Sequence, residues 1–586
     1  MLRSLVSASA IRLIVVLLIV TESGRHFGVE SAAAENTSSE IDFPLLVVNV
    51  ASLQRIRDNA GAMFESAERK DMTEFLDQWT VDFLKEAKGI DRSRPFGMML
   101  YLTLDFPPRP LGISYIPVSN LDETLQTIAY GTGTITPVEG QSNRHEIRYG
   151  ESLKIRTYYR NHYLFLVGPD GDDSSLDRNF PDPEKLTSRL SAQYDLAVSC
   201  MIKSIPSGLK TIALEAYKSQ VTADLQQRDD EPESVYRLRR ANGEGWIDLL
   251  DKVVNQGEEI TLGGRMEPEQ KLAHIDFEIA GTKDSKLAKL FQNMAGKRTY
   301  FGNLLTNPST FSMSISWLLE ENQRQLFVKY FDAAQRDLGK GSETNDASNL
   351  LKIVDPLFKT LMTTADVGHL DAVAQLTGTE KGSFVLLAGV KLATSRNLPA
   401  QFEELLQHLV DNPQDNELIQ KLELGFDAID SYSVHRLPIN PPDAGGQRMF
   451  GETSHLYVYA SPQAVWFSFG GDSALDTLKQ AIATTAEPNP PQQSRNRVPF
   501  QFITHAKNWL TVADTDDPNS VEFTERAQAS FESDNDAMKI EIRPTDSGVR
   551  IRTEFESGFI ALMGRGISTG IEKGVFRRQQ RNPETK

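Results

Sequence analysis

Cysteine is nearly absent from this sequence, since Cys200 is the only one among the 586 residues. A single cysteine excludes an intramolecular disulfide, and its position far from the N-terminus excludes a lipid-anchored lipoprotein. A chain of this length can be stabilised by its apolar core alone. Cys200 lies in the apolar run Leu196–Ile202, which predicts a buried strand and an inert thiol.

Long apolar runs are also missing, apart from Leu13–Val20 near the N-terminus. A helix that crosses a membrane needs about 20 apolar residues. Arg12 and Glu22 flank this run and keep it well short of that length, so the sequence predicts no stable membrane span in the mature chain. The alternative is a retained anchor, which would make the protein a membrane-tethered assembly factor.

The first residues instead have the three parts of a secretory signal peptide. Arg3 supplies a positive start, the apolar run follows, and Ala32 and Ala34 form a cleavage site of the small-x-small type. We therefore expect residues 1–34 to be removed and the mature chain to begin at Glu35. The expected location is the periplasm of a bacterial cell or the medium outside it.

Positive charge is in the minority, because 62 lysines and arginines face 80 aspartates and glutamates and give a formal net charge of -18. An acidic surface repels nucleic acid and anionic lipid. The sequence therefore predicts no nucleic-acid partner. It leaves a partner in the envelope or outside the cell open, and it does not identify that partner.

Motifs for metals and cofactors are missing as well. The nine histidines are scattered, and no pair has the i, i+4 spacing of a helical zinc site. The acidic runs Asp170–Asp173 and Asp514–Asp517 lack the glycine and the glutamate of a standard calcium loop. No glycine-rich run matches a phosphate-binding loop. We expect no metal and no cofactor.

Two groups of histidine and acidic side chains have ordinary explanations. His369 and Asp371 form the tightest pair, which a surface turn explains. His274, Asp276 and Glu278 alternate along one strand. Strict alternation is typical of a sheet with one face in water, so this polar side is expected to be the solvated one.

One short motif matches a catalytic pattern. Gly566–Gly570 has the Gly-x-Ser-x-Gly form of a hydrolase, which needs a preceding strand and a later histidine. The residues before it have helical spacing, and no histidine follows His505. We therefore expect Ser568 to lie within a helix, and we predict no catalytic residue.

Arg156, Tyr158 and Arg160 form the one local cluster of basic and aromatic residues. Alternation in a predicted hairpin places the three side chains on one face, where they could stack on a sugar or an anionic group. An exposed hairpin with ordinary arginines explains the same pattern. These three residues are the candidate ligand-contact cluster.

The rest of the sequence predicts an α+β fold. Four stretches share one order, in which a strand is followed by a polar break and a short amphipathic helix. The four strands are Ile113–Val118, Ala273–Ile279, Ser383–Val390 and Val465–Phe469. The pattern predicts several diverged strand–helix modules, with largely antiparallel sheets and with helices packed on one face.

Composition divides the chain into eight segments, of which the proline-rich linker is the clearest. The expected segments are a signal peptide (1–34), α+β module 1 (35–184), module 2 (185–300), module 3 (301–412), module 4 (413–487), a linker (488–499), a C-terminal strand–hairpin–helix segment (500–574) and a basic disordered tail (575–586).

Val465–Lys479, a strand that leads through glycines into a helix, resembles the closing elements of large exported bacterial proteins of unknown function built from repeated α+β modules. Tyr163–Asp170 is similar to the same strand, and Leu45–Leu53 is similar to their opening element. The resemblance covers short pieces scattered along the mature chain. It implies export and modular α+β structure, and it implies no activity.

Two functions are compatible with these observations. The first is an exported, non-catalytic protein that binds or scaffolds in the cell envelope or outside the cell. The second is an envelope hydrolase with an unrecognised active site. A deep pocket that gathers several acids, tyrosines or histidines would favour the enzyme. A broad apolar surface would favour the binding protein.

Overall fold

The computed structural model describes residues 42–581 apart from thirteen short gaps. The gaps are residues 103–108, 130–131, 151–152, 169–172, 230, 295–296, 307–308, 341–344, 380–382, 413–416, 487–497, 512–517 and 533–534. The expected signal peptide and the acidic run 514–517 therefore lie outside the described residues. So do most of the run 170–173 and most of the linker.

The described chain forms two units. Unit 1 consists of residues 42–220, 250–282 and 560–581, and unit 2 consists of residues 221–249 and 283–559. The division into eight segments expected from composition remains a prediction.

Unit 1 contains one antiparallel sheet. Its strands are β1 (Leu46–Val50), β2 (Phe96–Leu102), β3 (Pro110–Pro117), β4 (Thr134–Val138), β5 (Gln141–Tyr149), β6 (Leu153–Arg160), β7 (Tyr163–Val167), β8 (Leu196–Cys200), β9 (Gly257–Glu267) and β10 (Leu272–Gly281). They lie in the order β4-β5-β6-β7-β3-β2-β1-β8-β9-β10.

Unit 2 contains ten further antiparallel strands. Its strands are β11 (Phe311–Leu318), β12 (His369–Gly378), β13 (Phe384–Lys391), β14 (Glu423–Ile429), β15 (Tyr432–Pro438), β16 (His455–Ala460), β17 (Ala464–Gly470), β18 (Phe500–His505), β19 (Ala537–Pro544) and β20 (Gly548–Glu556). Their order is β14-β15-β16-β17-β13-β12-β11-β18-β19-β20, which repeats the order in unit 1 strand for strand.

The helices also repeat along the chain. They are α1 (Leu53–Ser66), α2 (Lys70–Glu86), α3 (Leu121–Ala129), α4 (Pro183–Gln193), α5 (Ser207–Asp224), α6 (Glu233–Gln256), α7 (Lys286–Asn293), α8 (Glu321–Lys340), α9 (Asn345–Val367), α10 (Leu398–Asp411), α11 (Ala444–Phe450), α12 (Ala474–Ala486), α13 (Ala506–Leu510), α14 (Pro518–Ser530) and α15 (Ser557–Arg581). With α11 as the one addition, residues 311–581 follow the same succession of strands and helices as residues 46–293.

One face of the unit 1 sheet is buried, because apolar side chains occupy alternate positions along its strands. Val47, Met99, Ile113 and Ala197 are fully or almost fully buried on that face. Helix α4 covers it through Leu190, which packs in a cluster with Val47 and Ala197. The helix begins where Asp182 accepts a hydrogen bond from the backbone of Glu184, as an N-cap residue does.

Helices cover both faces of the unit 2 sheet. On one face, Leu478 of α12 packs in a cluster with Trp466. On the other, Leu398 of α10 packs with Val458 and Val465. The expected α+β class with antiparallel sheets is confirmed. The helices cover both faces and not the one face expected, because the strands of unit 2 carry apolar side chains on both sides.

Helix α15 confirms the expectation for Ser568. The residue is 0% exposed within the helix, and its hydroxyl donates to the Gly564 carbonyl at 2.7 Å. Gly564 lets α15 approach α1, since a Cβ at this position would lie 2.8 Å from the Met63 carbonyl oxygen. The helix continues through Arg581 and so occupies residues expected to belong to a disordered tail.

Candidate binding surface

The candidate ligand-contact cluster lies on β6, in the expected hairpin with β7. Tyr158 packs against Phe165 and Phe180, at ring-centroid distances of 6.2 and 6.5 Å. The guanidinium of Arg160 donates to the side-chain oxygen of Asn179 at 3.1 Å. Arg156 lies on the same strand. Tyr158 and Arg160 are therefore held by contacts within unit 1, and the ligand role remains a prediction.

The His369–Asp371 pair lies on β12 and is buried, so the surface turn that the sequence suggested is wrong. Ser316 of the neighbouring β11 completes a cluster of serine, histidine and aspartate that sequence analysis missed. The Ser316 hydroxyl lies 2.9 Å from Nε2 of His369. The serines at alternate positions along Phe311–Leu318 were the signal that could have revealed a polar inner face.

The hydrogen bonds of this cluster hold parts of the fold together, which indicates a structural role. The Asp371 carboxylate accepts hydrogen bonds from the Thr299 hydroxyl at 2.6 Å and from the Tyr300 backbone at 2.7 Å. Burial lowers the pKa of His369 to about 4 and raises the pKa of Asp371. Ser316 is only 2% exposed. A carbonyl substrate therefore has no access to its hydroxyl.

The strand with His274, Asp276 and Glu278 has the opposite orientation to the one expected. His274 and Asp276 are 7% and 1% exposed, whereas Ile275 between them is 48% exposed. The polar side faces the core because it has partners there. The Tyr194 hydroxyl donates to Asp276 at 3.2 Å, and Arg189 forms an ion pair with Glu278. The expectation of a solvated polar face is wrong.

The opposite side of this strand belongs to an apolar face on the unit 1 sheet. Three rows of side chains cross strands β2, β1, β8, β9 and β10 in that order. The rows are Phe96-Val50-Leu196-Gly264-Ile275, Met98-Val48-Val198-Leu262-Phe277 and Leu100-Leu46-Cys200-Ile260-Ile279. None of these side chains carries a charge. We call this set the apolar face.

The apolar face is open to solvent at its centre. Leu196 and Leu262 are each 50% exposed, and Met98 is 36% exposed. Gly264 lies between Leu196 and Ile275 in the same row, and a Cβ at Gly264 would find no atom nearer than 3.9 Å. The face therefore has a notch at Gly264 that two large apolar side chains flank.

In the part of the chain that the structure describes, helices bury the row that borders this face. The next row of the sheet pairs Met266 with Ala273. Both residues pack in a cluster with Met63 of α1 and Ile560 of α15. The covered row shows how helices of unit 1 bury apolar sheet surface. The four exposed side chains lie in the first two rows of the face, whereas those of the third row are half-buried.

The equivalent face of unit 2 differs in exposure. Its rows are Ala372-Ile315-Phe500-Ile542-Ile551, Ala374-Met313-Phe502-Ile540-Thr553 and Leu376-Phe311-Thr504-Met538-Phe555, in the same register as in unit 1. All of these side chains are buried or half-buried. The equivalent sheet face is therefore largely apolar in both units, and in unit 1 it includes exposed side chains.

Other features do not add a site of known type. In the part of the chain that the structure describes, no group of three or more histidine, cysteine or acidic side chains is placed to hold a metal ion. No described helix has the length and apolar character needed to cross a membrane. No family model, no curated protein and no solved structure matches this chain.

Proposed function

We propose that this chain is an exported, non-catalytic binding protein of the cell envelope or the extracellular space. Its partner is another protein, and the apolar face of unit 1 is the contact surface. The observation that carries this proposal is the group formed by Met98, Leu196, Leu262 and Ile275, which are 36–50% exposed on an uncharged sheet face. Contiguous apolar surface of this kind marks interaction sites.

The size of the face suits the core of a protein interface. Five strands about 4.8 Å apart and three rows about 6.8 Å apart give a patch of roughly 250 Å². Full burial of one large aliphatic side chain contributes about 1.5–3 kcal/mol, so covering the exposed half of four contributes roughly 4 kcal/mol in total. A polar rim around such a core completes an interface of standard size.

An open face favours a protein over a small molecule. Small ligands bind in concave sites that bury about 70–90% of their surface. A flat sheet face covers a ligand from one side only. The net charge of -18 opposes association of two copies and favours a partner with basic groups around its apolar patch.

Site-specific photocrosslinking in the cell tests this proposal. A photoreactive amino acid replaces Leu262 in one variant and Leu153 in a matched control. Leu153 is 40% exposed on β6, which is not one of the strands of the apolar face. We expect an adduct with a second protein from position 262 and not from position 153, and we expect Leu196→Asp to abolish it.

Three results would contradict the proposal. One is the absence of any adduct at position 262, and another is equal adducts at positions 262 and 153. The third is an adduct whose mass is twice that of the chain, which would identify a second copy as the partner. Cell fractionation tests the exported location separately, since recovery in the cytoplasm would refute it.

The hydrolase hypothesis gains no support from the described residues. The Ser316–His369 pair is the arrangement closest to a nucleophile with its base, and both side chains are buried. The imidazole must also receive a proton in such a reaction. A pKa of about 4 makes His369 a poor proton acceptor at neutral pH.

A further inference from the structure

Unit 2 contains a cleft of about 230 Å³ beside the start of α10. One wall is the first turn of this helix, and the other is the hairpin of β14 and β15. The residues that decide its chemistry are Arg396, Pro399, Ala400, Glu403, Ser433 and His435. The cleft is separate from the apolar face, which belongs to unit 1.

His435 supplies a buried donor to the cleft. The residue is 2% exposed and still lines the cavity. The Gly425 backbone donates to Nδ1 of His435 at 3.4 Å, and burial lowers the pKa of the imidazole. The neutral ring therefore carries its proton on Nε2. This N–H has no hydrogen-bond partner among the described residues.

The start of α10 adds positive potential to the same wall. Asn397 occupies the N-cap position without a side-chain hydrogen bond to the helix, and Pro399 follows in the first turn. The Leu398 N–H donates to the Ser395 carbonyl at 3.2 Å and Pro399 has no N–H, so the helix attracts an anion mainly through the positive end of its dipole. Arg396 lies next to it, is exposed, and forms no ion pair in the described part of the chain.

An acidic group lies one turn further along the helix. Glu403 accepts a hydrogen bond from the Ser433 hydroxyl at 3.3 Å. A carboxylate has several further lone pairs, so this bond leaves Glu403 able to accept from a cationic group. One helical turn rises about 5.4 Å. The cleft thus places a site for an anion and a site for a cation about one turn apart.

We propose that this cleft binds a small zwitterion, namely a free α-amino acid with a small aliphatic side chain. The ligand carboxylate lies at the start of α10, between Arg396 and Nε2 of His435. The ligand ammonium group lies against Glu403. Pro399 and Ala400 contact the aliphatic side chain. The proposal is independent of the partner protein on the apolar face.

Calorimetric titration of the purified mature protein with L-valine tests the proposal. N-acetyl-L-valine lacks the ammonium group, and L-valinamide lacks the carboxylate. We expect L-valine to bind and each analogue to bind about tenfold more weakly, since each analogue lacks one of the two charged groups that the cleft binds. We expect Glu403→Gln and Arg396→Gln each to lower the affinity for L-valine by about the same factor.

Two exposed residues outside the cleft provide matched controls. Glu404 follows Glu403 on α10, and Arg448 lies on α11. We expect Glu404→Gln and Arg448→Gln to leave L-valine binding unchanged. We also expect Glu403→Gln to leave binding of N-acetyl-L-valine nearly unchanged, because that analogue has no ammonium group to lose a partner.

The proposal is overturned if L-valine gives no saturable heat at millimolar concentration with the wild-type protein. It is also overturned if N-acetyl-L-valine binds as tightly as L-valine, or if Glu404→Gln weakens binding as much as Glu403→Gln. None of these outcomes changes the expectation for crosslinking at Leu262, so the two proposals fail or succeed separately.

Discussion

Acid is expected to destabilise unit 2 through His369. Its imidazole is 8% exposed, it is bonded to Ser316 at 2.9 Å, and Lys297 and Lys391 add positive charge nearby. Burial, with these lysines, lowers its pKa from an ordinary 6.5 to about 4. The unfolded chain therefore takes up this proton before the folded chain does.

The magnitude follows from the two pKa values. Stability that is complete above pH 6.5 is lost as the pH falls toward 4, since in that window only the unfolded state binds the proton. Between pH 7 and pH 5 the free energy of unfolding falls by about 2 kcal/mol. Below both pKa values the loss reaches about 3 kcal/mol.

Urea unfolding at pH 7 and pH 5 measures this loss. His369→Gln removes the titrating group and keeps an amide that can bond to Ser316. We expect the wild-type protein to lose about 2 kcal/mol more than the variant over this interval. Asp371 and the other acids titrate in both proteins, so their contributions cancel in the comparison. Equal losses in the two proteins would refute the reasoning.

Four further predictions concern other parts of the chain. The mature protein begins at Glu35, and N-terminal sequencing of the exported chain checks this; a retained initiator methionine would show an anchor. Cys200 is half-buried with a thiol pKa raised to about 11 by burial, so a thiol reagent reacts slowly at pH 7 in the native state and rapidly in denaturant; fast native labelling would contradict this. Gly97→Ala destabilises unit 1 by at least about 2 kcal/mol, because its Cβ would lie 1.9 Å from the Val48 carbonyl oxygen. Gly61→Ala in α1, where a Cβ meets nothing within 4 Å, stabilises it by up to about 1 kcal/mol in the same unfolding assay.

Local patterns were sufficient for several elements. The helical spacing around Ser568 predicted the helix that buries it. The run Leu196–Ile202 predicted the strand β8, but the expected burial is wrong on the side of Leu196 and Cys200, of which the first is exposed and the second half-buried. The hairpin expected within residues 500–574 is the one that β19 and β20 form. These features depend on residues close in sequence, whose backbone preferences and periodicity act over one helix or one hairpin.

The orientation of β10 shows where local patterns fail. Alternation of His274, Ile275 and Asp276 shows that the strand has two chemically different sides. It does not show which side faces the core, because that depends on partners distant in sequence. Tyr194 satisfies Asp276 on the inner side. The apolar side consequently faces solvent, and the candidate binding surface was missed for this reason.

The sequence by itself determined the α+β class, several strands and helices, and the lack of disulfides, because periodicity, turn residues and cysteine count are properties of the chain alone. Only the tertiary structure decided the order of the ten strands that both units share, the buried Ser316–His369 pair, and the cleft at His435. Each of these joins residues far apart in the chain. The exposure of Leu196 and Leu262 belongs to the same class, since solvent access depends on which elements pack over a strand.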